Sequence, residues 1–345
     1  MAALDMHIPL SMRVIISTLL LFAFLKVGGV VPASGTASKL EKLVLPGRGD
    51  VRLSEWAKVS GFDIHWLKKD QSLQLTKDSS KLLFGVDSRE AEVNGVNVWL
   101  SHPIVLVNGN PYISELDIHT ALEPVLAPPK NFGGGKVKTI VIDPGHGGKD
   151  PGFQDGPQQE KKFTLLLAQE LCSQLKQAGF EASLTRTTDT LIDLPVRPEI
   201  AKRRGADLFI SLHWNSAPSS RNEVRGVETY CLTPAGASSF NAGGELFGSG
   251  TKPGNRFNDK NMYLAYQIQK SLLTGLAADD RGVKRARYAV LRTAEMPAIL
   301  IEGGFMSHPA ESKRIYDAVY RKQMARAIVN GITSYKKQVE LVKKS

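Results

Sequence analysis

Four polar residues of this 345-residue chain, His146, Glu160, His213 and Glu302, have the types and settings that hydrolytic chemistry uses. His146 sits in the run TIVIDPGHGG (139–148), His213 closes the apolar run DLFISLH (207–213), and Glu302 closes AILIE (298–302). Two imidazoles and one carboxylate suit a borderline-soft divalent ion. Three protein ligands leave a fourth zinc position open to water, which is the catalytic arrangement. A further carboxylate nearby can relay the proton of that water to a leaving amine.

These residues need a scaffold that brings them together. Residues 139–143 alternate β-branched and apolar side chains as a strand does, and Pro144, Gly145, Gly147 and Gly148 then force a tight loop that presents the imidazole. The carboxyl ends of parallel strands share one edge of an open α/β sheet, where ligands bind. His146, His213 and Glu302 are therefore expected at strand ends along that edge. Glu160 is expected in the first turn of a helix over 160–178, with Phe163, Leu167, Leu171 and Leu175 at helical spacing and Gly179 as a stop signal. Each residue also has a plainer reading. A histidine at a strand end can be hydrogen-bonded structure, Glu160 can be a favourable charge at a helix N-terminus, and Glu302 can pair with Arg281 or Arg292.

Several stretches favour the catalytic reading jointly: IVIDPGHGG, the Glu160-Lys161 step, LTRTTD (184–189), ADLFISLHWNSAP (206–218), GVETY (226–230), DRGVK (280–284), VLR (290–292) and MPAILIEGGFMS (296–307). Their order and spacing make the stretch from Lys136 to Lys336 resemble the zinc-dependent N-acetylmuramoyl-L-alanine amidases of the third amidase family. The resemblance implies an α/β fold, an open mostly parallel sheet flanked by helices. It implies Zn2+ held by His146, Glu160 and His213, with Glu302 as the catalytic acid/base. The implied reaction hydrolyses the amide bond between N-acetylmuramic acid and L-alanine, so the implied partner is peptidoglycan. Gly303 and His308 depart from the family, which more often has Leu and Asn there, and the cleft shape is where that difference is expected to tell. The alternatives are a zinc peptidase acting on stem peptides and a non-catalytic wall-binding protein. A purely structural metal is disfavoured, because such a site takes four protein ligands and leaves no free carboxylate.

The rest of the chain frames this domain. The formal net charge of +10 suits an anionic partner. DPGHGG lacks the glycine spacing that cradles phosphates, and basic residues are scattered, so no nucleic acid is expected as partner. Only Cys172 and Cys231 occur, which excludes a disulfide framework. Residues 1–37 read as a signal peptide or anchor. An apolar run over 14–25 follows Arg13, small residues lie near Ala33 and Ala37, and membrane contact is expected only through an uncleaved N-terminal anchor. An exported protein of the periplasm, cell envelope or extracellular space follows. Residues 40–127 alternate short apolar runs with turns, Asn94-Gly95 and Asn108-Gly109 being hairpin signals, and form a small β-rich module resembling the copper amine oxidase N-terminal-like domain. A Pro/Gly-rich linker (128–136) is expected to isolate it from the catalytic domain (137–337), which a basic tail (338–345) follows. Within that domain, residues 233–261 read as a mobile loop, 261–277 as a helix, and about 310–335 as one long helix. His65, His102 and His119 show no ligand spacing.

Overall fold

Strand Thr139–Pro144 is buried on both faces, and its side chains divide strictly between them: Ile140 and Ile142 enter the larger apolar core, Val141 the smaller. Leu208–Asn215 and Ala298–Phe305 repeat the division, with Phe209 and Leu300 on the smaller side. This is the period of two that a sheet covered on both sides imposes. The computed structural model describes residues 42–45, 48–128, 136–241 and 250–341; the expected signal segment, most of the linker and residues 242–249 lie outside them.

The part of the sheet around the four candidate residues runs in the order Glu181–Leu184, Thr139–Pro144, Leu208–Asn215, Ala298–Phe305, Val227–Leu232, Asp280–Ala286. Neighbours are parallel except Val227–Leu232 against Ala298–Phe305. Val227–Leu232 and Asp280–Ala286 therefore both run against the other four, which brings Glu228, near the beginning of the first, to the edge where those four strands end. Helices Glu160–Gln177, Asn258–Leu276 and Ala318–Val339 bury their apolar stripes over the larger core. Among the described residues the opposite face carries shorter elements, the helices Val196–Arg203 and Ala289–Arg292 and the turn Pro253–Phe257, whose Gly254 approaches Leu232 and Leu291. That thinly covered face is where a cleft can open.

The sequence expects an isolated N-terminal module, and the structure instead extends the sheet with it. Val96–Trp99 pairs in parallel with Asp280–Ala286 through Val98 and Val283, and the antiparallel strands Glu90–Val93, Ser80–Gly85, Ser72–Lys77 and Asp63–Lys68 continue to eleven strands. Residues from Lys39 onward group as one compact unit. A linker's composition says that the connection is irregular; it does not say whether the two edges pair. Asn94 and Asn108 take the left-handed conformation with Gly95 and Gly109 after them, as two-residue hairpin turns require.

Two helix boundaries also differ. The expected long final helix breaks into Pro309–Tyr316 and Ala318–Val339, because Asp317 is extended and its carboxylate caps Val319 N at 2.9 Å. The Asn258–Leu276 helix starts inside the expected loop, where Asn255 accepts from Lys252 N at 2.8 Å and donates to Thr233 O at 3.0 Å.

Candidate active site

His146 lies two residues past its strand at φ +60. A non-glycine residue there stores strain on the order of 1 kcal/mol, which the surroundings must hold. Two buried arginines do so through three successive carbonyls. Arg197 donates to Pro144 O and His146 O, each at 2.9 Å, and Arg186 to Pro144 O at 3.0 Å and Gly145 O at 2.7 Å. Arg197 also pairs with buried Asp143 at 3.0 Å, which accepts from Thr185 Oγ1 at 2.6 Å and Ser211 Oγ at 2.9 Å. Lys161 reaches Gly148 O and Asp189, both at 2.7 Å. The LTRTTD and Glu-Lys stretches thus hold the histidine loop in place.

Glu160 opens its helix and is 5% exposed. Its Oε2 accepts from Phe153 N at 2.9 Å and its Oε1 from Trp214 N at 3.1 Å. Oε1 also lies 3.0 Å from both His146 Nε2 and His213 Nδ1. One donor atom from each of the three residues falls within 4.8 Å of the others, a group that could hold a metal ion. Among the described residues no second such group occurs. Burial alone would raise the Glu160 pKa, but the two imidazoles hold it well below the usual carboxylate range. Burial opposes charge on His146 as well, yet Glu160 and Asp150 outweigh it and raise its pKa. A centre that favours positive charge this strongly fits a divalent cation, which would displace the proton. Asp150 Oδ2 lies 2.8 Å from His146 Nδ1, leaving Nε2 for the centre. Carboxylate partners of this kind fix a ligand's tautomer.

Glu302 completes the floor of a cavity of about 370 Å³ that His146, Glu160, His213, Leu194, Tyr288 and Val290 also line. The strands run on past His213 and Glu302 to Asn215 and Phe305, so these two are not strand ends. The ladder slips just beyond them, between His213 and Asn215, and they stand as direct neighbours. Glu302 is not salt-bridged to Arg281, and its Oε2 is buried without a hydrogen-bond partner among the described residues. Burial and the Glu160 and Glu228 carboxylates push its pKa well above the ordinary value, with Lys284 opposing. A carboxyl whose charge is disfavoured in this way is a better proton acceptor than an exposed one, which suits a group that takes up and returns a proton.

Sequence reasoning missed Glu228, although GVETY contains it. It faces Glu302 across the antiparallel ladder and is 1% exposed. It accepts from Asn215 Nδ2 at 2.6 Å, Tyr230 Oη at 2.8 Å, Arg281 Nε at 2.9 Å and Lys284 Nζ. Asp143, Asp150 and Arg197 were missed too. The family departures have local explanations. A Cβ at Gly303 would lie 2.7 Å from the Trp214 ring and 2.9 Å from Met324 Sδ, so position 303 faces the core and Trp214 fills the space. His308 caps Pro309–Tyr316, accepting from Ala310 N at 3.3 Å and Glu311 N at 3.4 Å, which asparagine would also do. Neither residue lines the cleft.

Fold and site define a member of a known family: residues 140–334, more than half of the chain, match the N-acetylmuramoyl-L-alanine amidase family, to which this chain belongs. Residues 39–123 match the copper amine oxidase N-terminal domain. The chain is 34% identical over 223 residues to N-acetylmuramoyl-L-alanine amidase AmiC of Neisseria meningitidis, covering 58% of this chain and 53% of that one. It is 34% identical over 198 residues to N-acetylmuramoyl-L-alanine amidase LytC of Bacillus subtilis, covering 57% and 35%. It thus spans about half or less of these relatives. The solved N-acetylmuramoyl-L-alanine amidase AmiC2 of Nostoc punctiforme is 33% identical, covers 59% of this chain and 99% of its own, and has a TM-score of 0.49. No helix among the described residues is long and apolar enough to cross a membrane.

Proposed function

We propose that this chain is an exported zinc-dependent amidase that hydrolyses the bond between the lactyl carbonyl of N-acetylmuramic acid and the amine of L-alanine in peptidoglycan. The observation that carries the reading is the convergence of His146, Glu160 and His213 beside a buried carboxyl, Glu302, whose second oxygen has no protein partner among the described residues. His146, Glu160 and His213 are the ligand set, and Glu302 is the acid/base. When bound, zinc polarises the amide carbonyl and makes water a nucleophile near neutral pH.

The chain's own residues do the rest. The orphan oxygen of Glu302 takes a proton from the attacking water as oxygen bonds to the lactyl carbon. The same carboxyl then returns the proton to the alanine nitrogen as the C–N bond breaks, and the second proton of the water passes to the released amine or to solvent, leaving a lactyl carboxylate and a free peptide amine. Asp150 and Arg197 keep His146 aimed, and Leu194, Tyr288 and Val290 give the cleft apolar walls. Export fits a substrate outside the cytoplasm, which the amidase names of the relatives support. Purified muropeptides incubated with the full chain and zinc should yield, by mass spectrometry, free stem peptides and peptide-free disaccharide. Cleavage within the stem would transfer the reading to a peptidase, and intact muropeptides would reduce the chain to a wall-binding protein.

A further inference from the structure

The N-terminal module touches the catalytic sheet at one strand, and that strand is the one carrying the cations of Glu228. Asn97 N donates to Asp280 Oδ2 at 2.7 Å and Asn97 Nδ2 to Asp280 O at 3.3 Å. Trp99 Nε1 donates to Arg281 O at 3.0 Å. The Trp99 ring also lies 5.7 Å from the Lys284 ammonium, which Phe240 approaches to 5.5 Å and Tyr230 to 6.0 Å. Trp99 meets Phe240 edge to face, with centroids 5.2 Å apart. Lys284 is 6% exposed, so these aromatic faces replace water around the charge. Arg281 and Lys284 converge on the same oxygen, Glu228 Oε2, and Glu228 stands directly opposite Glu302.

We infer that Trp99 is a positioning residue for the catalytic site, holding the Lys284 ammonium on Glu228 with its ring and the Arg281 backbone in register with its N–H, so that the carboxylate beside Glu302 is neutralised and fixed. The inference rests on the proposed role of Glu302. The physical case is one of a buried like-charge pair. Two carboxylates facing each other in low dielectric repel unless cations stay in contact with one of them, and a cation whose aromatic wall is removed can turn toward solvent. Unbalanced, Glu228 would displace the Glu302 side chain from the cleft floor. The module is then part of the active-site support, and its attachment by strand pairing has a catalytic consequence that a tether alone would not have.

The test uses the full chain with zinc and small soluble muropeptides, for which wall docking is irrelevant. Trp99→Leu should lower kcat about tenfold or more, the scale of losing a desolvated cation–π contact, with KM and bound zinc unchanged. Trp99→Phe keeps a ring on Lys284 and loses only the N–H bond, so it should recover most of the lost kcat. Glu228→Gln should lower kcat as well, and adding Trp99→Leu to it should cost much less than it does alone, because both act through one carboxylate. Leu75→Ala, in the module core, serves as the stability control. Wild-type kcat in Trp99→Leu, full additivity with Glu228→Gln, or an equal kcat loss in Leu75→Ala would each overturn the inference. If Trp99→Leu does not fold, Trp99→Phe decides: a kcat as low as that of Glu228→Gln would overturn it. A wild-type chain that cleaves no muropeptide fails the functional reading instead, and is recognised before any variant is compared.

Discussion

Replacing Gly145 with alanine tests whether the histidine and glutamate cluster works through its geometry. A Cβ at Gly145 would lie 2.6 Å from His213 Nε2 and 2.7 Å from Nδ1, and closer still to Cε1. Non-bonded atoms of this kind settle at about 3.5 Å or more, so one side must recede by about 1 Å. The loop is held in place. Gly145 N donates to Leu212 O at 3.0 Å, and its carbonyl accepts from Arg186 at 2.7 Å and Thr164 Oγ1 at 2.9 Å. The His213 ring therefore moves, whereas metal–ligand distances tolerate only about 0.2 Å. Dialysed Gly145→Ala protein should hold well under one zinc per chain by elemental analysis. With zinc restored, kcat on muropeptides should fall about a hundredfold, the scale of an ångström misplacement. Overpacking should cost about 1–3 kcal/mol in urea unfolding, leaving a folded protein. Gly156→Ala is the control: Gly156 sits at φ +56 with nothing within 4 Å, so only backbone strain of about 1–2 kcal/mol is added and zinc and turnover stay. A Gly145→Ala chain with one tightly held zinc and wild-type turnover would refute the geometric argument.

Three further outcomes follow from the same contacts. Glu302→Gln should keep zinc and fold while kcat drops by roughly a hundredfold or more, as loss of a general acid/base does; zinc loss would make Glu302 a ligand. Asp150→Ala removes the carboxylate 2.8 Å from His146 Nδ1 and should weaken zinc about 10- to 100-fold in competition with a chelator; unchanged affinity would mean that other contacts orient the ring. Arg197→Met leaves Asp143 buried and unpaired and should destabilise the chain by about 3–5 kcal/mol in urea unfolding, a cost under 1 kcal/mol counting against a buried pair.

The zinc-site candidates were legible because each stands at a break in a strong local pattern. An apolar run that ends in His or Glu, or a helix that opens on Glu, is visible within a dozen residues. Glu228 was hidden for the opposite reason. In VETY a charged residue alternates with apolar ones, which reads as an outward-facing position of a half-covered strand. Its four partners come from positions 215, 230, 281 and 284, and only the reversed strand order brings them together. The docking of the N-terminal module was hidden more deeply. Edge pairing uses backbone groups that every strand presents, so composition does not reveal which edges meet. The split of the last helix at Asp317 was readable in principle, since an Asp before a new apolar stripe is a cap signal. The continuous pattern on either side of it concealed the break.

The two faces of the sheet divide the work. The face under the three long helices is mostly apolar, Thr229, Arg285 and Gln269 being buried polar exceptions, and supplies the larger core. On the other face, by the alternation that places Val141, Phe209, Tyr230 and Leu300 there, lie Asp143, Ser211, His213, Glu228, Lys284 and Glu302. Two ion pairs with carboxylates no more than 2% exposed, Asp143 with Arg197 and Glu228 with Lys284, stand on either side of the His213 and Glu302 strands. Buried pairs contribute little net stability, because desolvation offsets their attraction, and apolar side chains of similar volume would serve the fold as well. Their placement makes sense as orientation. One pair fixes the carbonyls that hold His146 in a strained backbone, and the other fixes the carboxylate that faces Glu302. A site of the proposed kind, with three ligand atoms and one orphan acid to be held to fractions of an ångström, gains more from such directional contacts than from packing alone, and the thinly covered face is where the sheet leaves room for both the contacts and a substrate.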